Sequence, residues 1–402
     1  MNPEFIDSLV IKNKTKIVYL IMDGIGGLPS GNSHLTELET ARTPHLDALA
    51  QRSVCGLLDP VGYGVTPGSG PAHFSLFGYD PIKTSVGRGL LSAAGIDFSM
   101  TERDLFMRVN LATINADGIV TDRRAGRIDT DSNRRICEKM QAKIDLGTNV
   151  EFFMAPEKEH RALIALRGDD LSDELTDSDP EAAGKAPLTP RALNPKAQRT
   201  AQIIQNLLQQ TRTILSDEER ANMILLRGFA RYQKFNTLPE RFGLTPLAIA
   251  EYPMYRGIAR LLGMDIHPQT GSIEGEIAAL GTSFDNYDFF FVHIKPTDSL
   301  GEDGNFDAKV KIIEEVDSHL PAITGLNPDV LVVTGDHSTP AVMCGHSWHP
   351  VPVILASQTC RPDRVERFGE RDCIGGGLSR IPTMHLMGLA LAHAGKLSKY
   401  GA

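Results

Sequence analysis

Three short apolar runs each lead into residues able to hold a metal ion. Lys16 to Met22 runs into Asp23, Tyr287 to Ile294 runs through Lys295-Pro296-Thr297 into Asp298, and Asp329 to Thr334 runs through Gly335 into Asp336 and His337. Glu302 follows Asp298 at i+4, so a helix beginning there would turn both to one side. His349 lies just beyond, in Gly-His-Ser-Trp-His-Pro. A single Asp after a strand is ordinarily a turn or a helix cap. Three of them with an adjoining imidazole form the oxygen and nitrogen donor set that two divalent cations need. Held roughly 3.5–4 Å apart, such cations polarise a phosphoryl oxygen while activating the oxygen that attacks it.

Ser69 is the nucleophile this chemistry asks for. It lies in Gly62-Tyr63-Gly64-Val65-Thr66-Pro67-Gly68-Ser69-Gly70-Pro71-Ala72-His73, where glycines let backbone approach a ligand closely. A serine hydroxyl attacks poorly at neutral pH, and contact with a divalent cation lowers its pKa toward the alkoxide. Read by itself, the loop is better explained as a flexible Gly/Pro turn, so the metal set is what makes Ser69 a nucleophile. The Ser-His-Asp hydrolase elbow does not fit, because Pro67 and Pro71 stand where it needs glycines.

Continuous apolar runs of this length are strands buried on both faces, which implies an α/β fold with a mostly parallel sheet flanked by helices. Ligands then bind beyond the carboxyl ends of the strands. Helices are expected over Pro44 to Arg52, after a Thr-Pro cap signal, and over Phe306 to Leu320. The stretch from 98 to 283 differs, with many arginines, an acidic Pro/Gly loop from Gly168 to Pro190 and a Gln-rich helical pattern from Ala197 to Leu215. The expected organisation is a metal-binding domain, 1–97 with 284–402, interrupted by a smaller α/β insert that binds substrate. The insert carries Arg123, Arg124 and Arg127 within five residues, then Arg161, Arg167 and Arg227. Arginine's planar fork grips carboxylate and phosphate bidentately, so the tight trio reads as an anion grip. Arg167 and Arg227 are equally well explained as ion-pair partners.

With 402 residues the chain is long enough for two domains. A net charge of −9 argues against a non-specific nucleic-acid binder. No apolar run approaches the roughly 20 residues of a membrane-spanning helix, and the opening MNPEFIDSLVIKNK lacks a signal core. Five cysteines without paired spacing suit a reducing compartment, so the expected location is the cytoplasm.

Taken together, these elements resemble the cofactor-independent phosphoglycerate mutases of the archaeal type, within the alkaline phosphatase superfamily. The match runs nearly end to end. It covers Met-Asp-Gly at Asp23, Thr-Pro-His-Leu-Asp at Thr43 to Asp47, the Pro-Gly-Ser-Gly-Pro-Ala-His loop, Asp-Arg-Arg-Ala-Gly-Arg at Asp122 to Arg127, and the Gly-Asp-His and His-Ser-Trp-His-Pro elements.

The resemblance implies interconversion of 3-phosphoglycerate and 2-phosphoglycerate, in glycolysis and gluconeogenesis, through a phosphoserine and without 2,3-bisphosphoglycerate. Asp23, Ser69, Asp336 and His337 are implied around one metal, and Asp298, Glu302 and His349 around the other. Glu302 departs from the histidine the family often has, and a carboxylate there tilts preference toward Mn²⁺ or Mg²⁺ over Zn²⁺ or Co²⁺. Substrate contacts are implied at His73, Asp122, Arg123, Arg124, Arg127 and Arg161, with Arg256 as a further positive group near the scissile phosphate. The only partner expected is the small-molecule substrate. The sequence leaves a homo-oligomer open, and a metal phosphatase or phosphotransferase acting on another small metabolite is the alternative activity.

Overall fold

The computed structural model describes residues 3–31, 34–84 and 86–401. Its strands in chain order are β1 (Ile17–Met22), β2 (Val54–Asp59), β3 (Asp104–Ile114), β4 (Val120–Asp122), β5 (Val150–Lys158), β6 (Arg161–Gly168), β7 (Met223–Arg231), β8 (Pro246–Ala250), β9 (Asp265–Ile266), β10 (Phe289–Ile294), β11 (Val330–Thr334), β12 (Val351–Ser357) and β13 (Ser379–Pro382). They divide between two compact units, Met1–Ser85 with Phe235–Ala402, and Val86–Lys234.

The larger unit is the expected α/β layer structure. Its eight-stranded sheet runs β13-β2-β12-β11-β1-β10-β8-β9, with β12 antiparallel to both of its neighbours and every other pairing parallel. Every residue of β1, β10 and β11 is buried, as strands covered on both faces require. Helices stand where caps start them. Pro44–Ala50 opens on proline after Thr43, and Phe306–Gly325 starts at Asn305, whose side chain accepts from the Ala308 N–H at 3.2 Å.

The smaller unit is a five-stranded antiparallel sheet, β4-β3-β6-β5 with β7 also on β3. Leu105, Met107, Val109 and Leu111 of β3 enter a core shared with Ile136 and Met140 of helix Thr130–Lys143 and Ile204 and Leu207 of helix Gln198–Ile214. The boundaries fall at 86 and 235, against the expected 98 and 284. β8 and β9 extend the large sheet beside β10, and the five-residue run Pro-Leu-Ala-Ile-Ala of β8 is too short to stand out in the sequence. Among the described residues no helix is long and apolar enough to cross a membrane.

Candidate active site

Neighbouring strands deliver the acidic groups. β11, β1 and β10 lie side by side and parallel, so the residues after Thr334, Met22 and Ile294 emerge together at their carboxyl ends. Asp23, Asp336 and His337 are fully buried and Asp298 is 1% exposed. Close approach of the loops depends on Gly24, at φ 63°, where a Cβ would meet Thr339 Oγ1 and, at 2.9 Å, Asp298 Oδ1.

Two groups of donors result. Ligand atoms of Asp23, Asp336 and His337 all lie within 4.8 Å of one another, and those of Asp298, His337 and His346 do the same. Ser69 opens helix Ser69–Leu76 and sets its Oγ 3.4 Å from His337 Nε2. The same Nε2 is 3.4 Å from Asp23 Oδ1 and 3.1 Å from Asp336 Oδ2. On the other side of the ring, Nδ1 is 3.0 Å from Thr339 Oγ1, whose hydroxyl donates to Asp298 Oδ1 at 2.6 Å. With its proton committed there, Thr339 accepts from the His337 Nδ1–H. The Nε2 lone pair is thereby left facing the carboxylates, the orientation a metal ligand needs.

Burial and charge set the protonation. Burial alone would raise Asp23, but Lys295, His293 and His337 outweigh it and hold the carboxyl well below the usual range. Burial, then the Asp23 charge, pushes Asp336 well above that range. Burial depresses His337, so its imidazole is neutral. Asp23 Oδ1 and Asp336 Oδ2 are buried without a hydrogen-bond partner, which is costly for carboxylate oxygens. A divalent cation would satisfy both, and two carboxylates with a neutral imidazole are a fitting donor set for one.

Behind the donors, Lys309 is wholly buried in helix Phe306–Gly325 and donates to the carbonyls of Gly24 at 2.9 Å, Gly26 at 3.3 Å and Thr339 at 2.8 Å. It ties the loop after β1 to the loop after β11. Nothing in the helical pattern around Lys309 distinguishes it from a surface lysine.

Several expected positions differ. His346 stands in the second donor group where His349 was expected. Its Nε2 is 3.5 Å from Asp298 Oδ1, its ring stacks on His337 at 3.7 Å, and its Nδ1 is 2.9 Å from the Pro67 carbonyl. His349 belongs to neither group. It stacks on the half-exposed Trp348 and places Nδ1 3.1 Å from Ser347 Oγ. Glu302 reaches the rim, 3.7 Å from His346 Nε2, with its side chain 55% exposed. His73 is fully buried beneath these donors, its Nδ1 2.8 Å from the Ser69 carbonyl and 3.3 Å from Asp336 Oδ2, so it props the helix that Ser69 opens. The guanidinium of Arg256 is used on the backbone, donating to the carbonyls of Ala250 and His267. The positive group beside the carboxylates is Lys295, 3.0 Å from Asp23 Oδ2.

The arginines of the smaller unit assemble separately. Residues of β3 alternate, so Arg108 and Asn110 face away from the core that takes Val109 and Leu111. They line a cavity of about 220 Å³ with Arg88, Arg123, Arg124, His160, Arg161 and Arg227, and no carboxylate lines it among the described residues. Arg123 is held bidentately by Asp179 at 3.0 and 2.7 Å, and Arg227 donates a single hydrogen bond to Glu181 at 2.5 Å. Burial, then Arg161, lowers His160 to about 4, so it adds a neutral donor and acceptor among cations. Asp122 shapes this wall from behind. Its carboxylate accepts from the N–H of Arg124 at 2.7 Å and of Gly126 at 2.6 Å, and folds a turn in which Ala125, Gly126 and Arg127 all take positive φ. Arg127 is not among the lining residues. Arg88, Arg108 and His160 carry no motif that would mark them in the sequence. Arg167 pairs with Asp104 at 2.7 Å.

Comparison with known proteins gives the class first. The chain is an isomerase, 47% identical over 407 residues to the probable 2,3-bisphosphoglycerate-independent phosphoglycerate mutase of Aquifex aeolicus, covering 99% of this chain and 100% of that one. It is 48% identical to the protein of the same name from a strain of Thermus thermophilus, over 98% of each. The model of the 2,3-bisphosphoglycerate-independent phosphoglycerate mutase family matches residues 50–221. This chain belongs to that family. Among solved structures, a Pyrococcus horikoshii protein superposes with TM-score 0.84 at 27% identity, covering 97% of this chain and 100% of that one. The cofactor-independent phosphoglycerate mutase of Thermoplasma acidophilum gives TM-score 0.70 at 28% identity, over 94% of this chain and 100% of that one.

Proposed function

We propose that the chain interconverts 3-phosphoglycerate and 2-phosphoglycerate through a phosphoserine at Ser69, with two divalent cations as cofactors. The observation that carries the reading is Ser69 Oγ at 3.4 Å from the His337 Nε2 lone pair, beside two buried carboxylates with unsatisfied oxygens. Asp23, Asp336 and His337 would hold one cation beside Ser69, and Asp298 and His346 would hold the other with Glu302 at its rim. When bound, such cations would lower the serine pKa and draw charge from the phosphoryl oxygens.

The chain's own groups do the rest. Thr339 fixes the His337 tautomer, and His73 anchors the first turn of the serine's helix. A mutase must also keep the dephosphorylated glycerate while the phosphoryl group waits on serine. The cavity of Arg123, Arg124 and Arg161 is an anion grip suited to carboxylate and phosphate. Mn²⁺ or Mg²⁺ would suit a second set in which Glu302 adds a carboxylate to Asp298 and His346.

The test is purified protein with 3-phosphoglycerate and Mn²⁺, without added 2,3-bisphosphoglycerate. The product expected is 2-phosphoglycerate, with activity abolished by chelator and restored by Mn²⁺. Ser69→Ala should lower kcat at least ~10³-fold. Free phosphate as the main product would favour a phosphatase. Full activity in Ser69→Ala or in chelated protein would overturn the scheme.

A further inference from the structure

Lys295 Nζ lies 2.5 Å from Asp298 Oδ2, 3.0 Å from Asp23 Oδ2 and 3.1 Å from Tyr255 Oη. Its side chain is 20% exposed, and its ammonium stands over the rings of Tyr252 and Tyr255 at 5.6 and 5.4 Å. The two carboxylates follow different strands, β1 and β10, and His337 lies between them, its Nε2 3.4 Å from Asp23 Oδ1 and its Nδ1 4.0 Å from Asp298 Oδ1. Asp23 Oδ1 points to His337, and Asp298 Oδ1 to His346. One ammonium thus joins the remaining oxygen of each. Carboxylates sharing a buried site repel strongly at low dielectric, and a cation of fixed position relieves this without help from solution.

We propose that Lys295 is a resident counter-ion, which holds Asp23 and Asp298 together and competes with a divalent cation for Asp298. The inference rests on the two-metal reading above. Lys295 here is a positioning residue, acting through the carboxylates. Its ammonium occupies the negative field the second cation needs, so it preforms the site and weakens it at once. The first group, Asp23 with Asp336 and His337, keeps its oxygen Asp23 Oδ1 clear of the ammonium. Loading is therefore ordered, the Asp336 side filling before the Asp298 side.

Titration of the full-length protein with Mn²⁺ by calorimetry, beside melting curves in chelator, tests this on wild type, Lys295→Met and Lys295→Gln. The expected result is a biphasic wild-type isotherm. In both variants the weaker phase should tighten by roughly tenfold, since removing a like charge within ~4 Å at intermediate dielectric is worth at least that factor. The variants should also melt several degrees lower than wild type in chelator, and regain that loss when Mn²⁺ is saturating. Weaker or unchanged Mn²⁺ binding in the variants, with wild type binding two ions, would overturn the counter-ion role and leave the two-metal reading intact. Wild type binding no Mn²⁺ would overturn both. If one substitution prevents folding, the other gives the same readout, because both remove the charge while keeping an unbranched side chain.

Discussion

At the residue scale, the two histidines of Gly-His-Ser-Trp-His-Pro show what spacing can and cannot assign. The motif marks the loop, and either imidazole could be chosen from it. The structure separates them by the backbone between them, since Ser347 pairs with Ser338 and leaves His346 and His349 on different sides of that pairing. His346→Ala is expected to weaken Mn²⁺ binding by more than the roughly 10–100-fold that loss of a supporting partner costs. His349→Ala should change it less than about threefold. Calorimetric titration of both variants checks this, and equal losses would refute the assignment. The strand-end residues Asp23, Asp298, Asp336 and His337 were legible because each follows an apolar run. Thr339, Lys295 and Lys309 were not, since their roles arise from partners 40 or more residues away in the chain or on a neighbouring loop.

At the scale of elements, helix Ile273–Ser283 carries an acid on its apolar seam. Ile273, Glu276, Ile277 and Leu280 are all buried, at the i, i+3, i+4 spacing of a core-facing stripe. Glu276 is 3% exposed with Oε1 unpartnered, and burial, then the Glu251 charge, raises its carboxyl to about 8. The folded chain therefore keeps a proton that the unfolded chain releases from about pH 4.5 upward. Between that pH and about 8 the folded state binds more protons, so stability falls as pH rises through this window. Glu276→Gln keeps the shape and removes the charge. Its melting temperature should exceed that of wild type by a few degrees at pH 8.5, and by less at pH 5.5. A difference independent of pH would count against the shifted carboxyl. In sequence this helix reads as an ordinary amphipathic segment with one misplaced Glu, so its place against the large sheet was not legible. Periodicity reports that a face is buried and is silent on the layer that covers it. For the same reason β8 and this helix were assigned to the insert.

For the whole molecule, the smaller unit closes on itself. All its strands come from Val86–Lys234, its core draws on both of its long helices, and its ends meet, a Cβ on Gly87 falling 2.6 Å from that of Ala230. A chain of residues 86–234 is expected to unfold in one cooperative transition by circular dichroism, as a domain with its own core does. A broad, non-cooperative melt would show that it depends on the rest of the chain. The α/β class and the presence of an insert were readable from the contrast between solid apolar runs and an arginine-rich, mixed middle. The exact junctions have no compositional edge.

The order of strands across the large sheet also has a consequence in time. β1 lies between β10 and β11, and Gly24 meets the side chain of Asp336 across 312 residues of sequence. At roughly 5–20 residues per second of synthesis, β1 waits ~15–60 s before its neighbours exist. For that interval Ile17-Val18-Tyr19-Leu20-Ile21-Met22 is a fully apolar strand with two open edges, while Val86–Lys234 has already left the ribosome with everything its own sheet requires. The carboxylates of Asp23, Asp298 and Asp336 are thus brought together only at the end of translation. Nascent chains stalled before residue 330 should display an adhesive N-terminal strand that chaperones recognise.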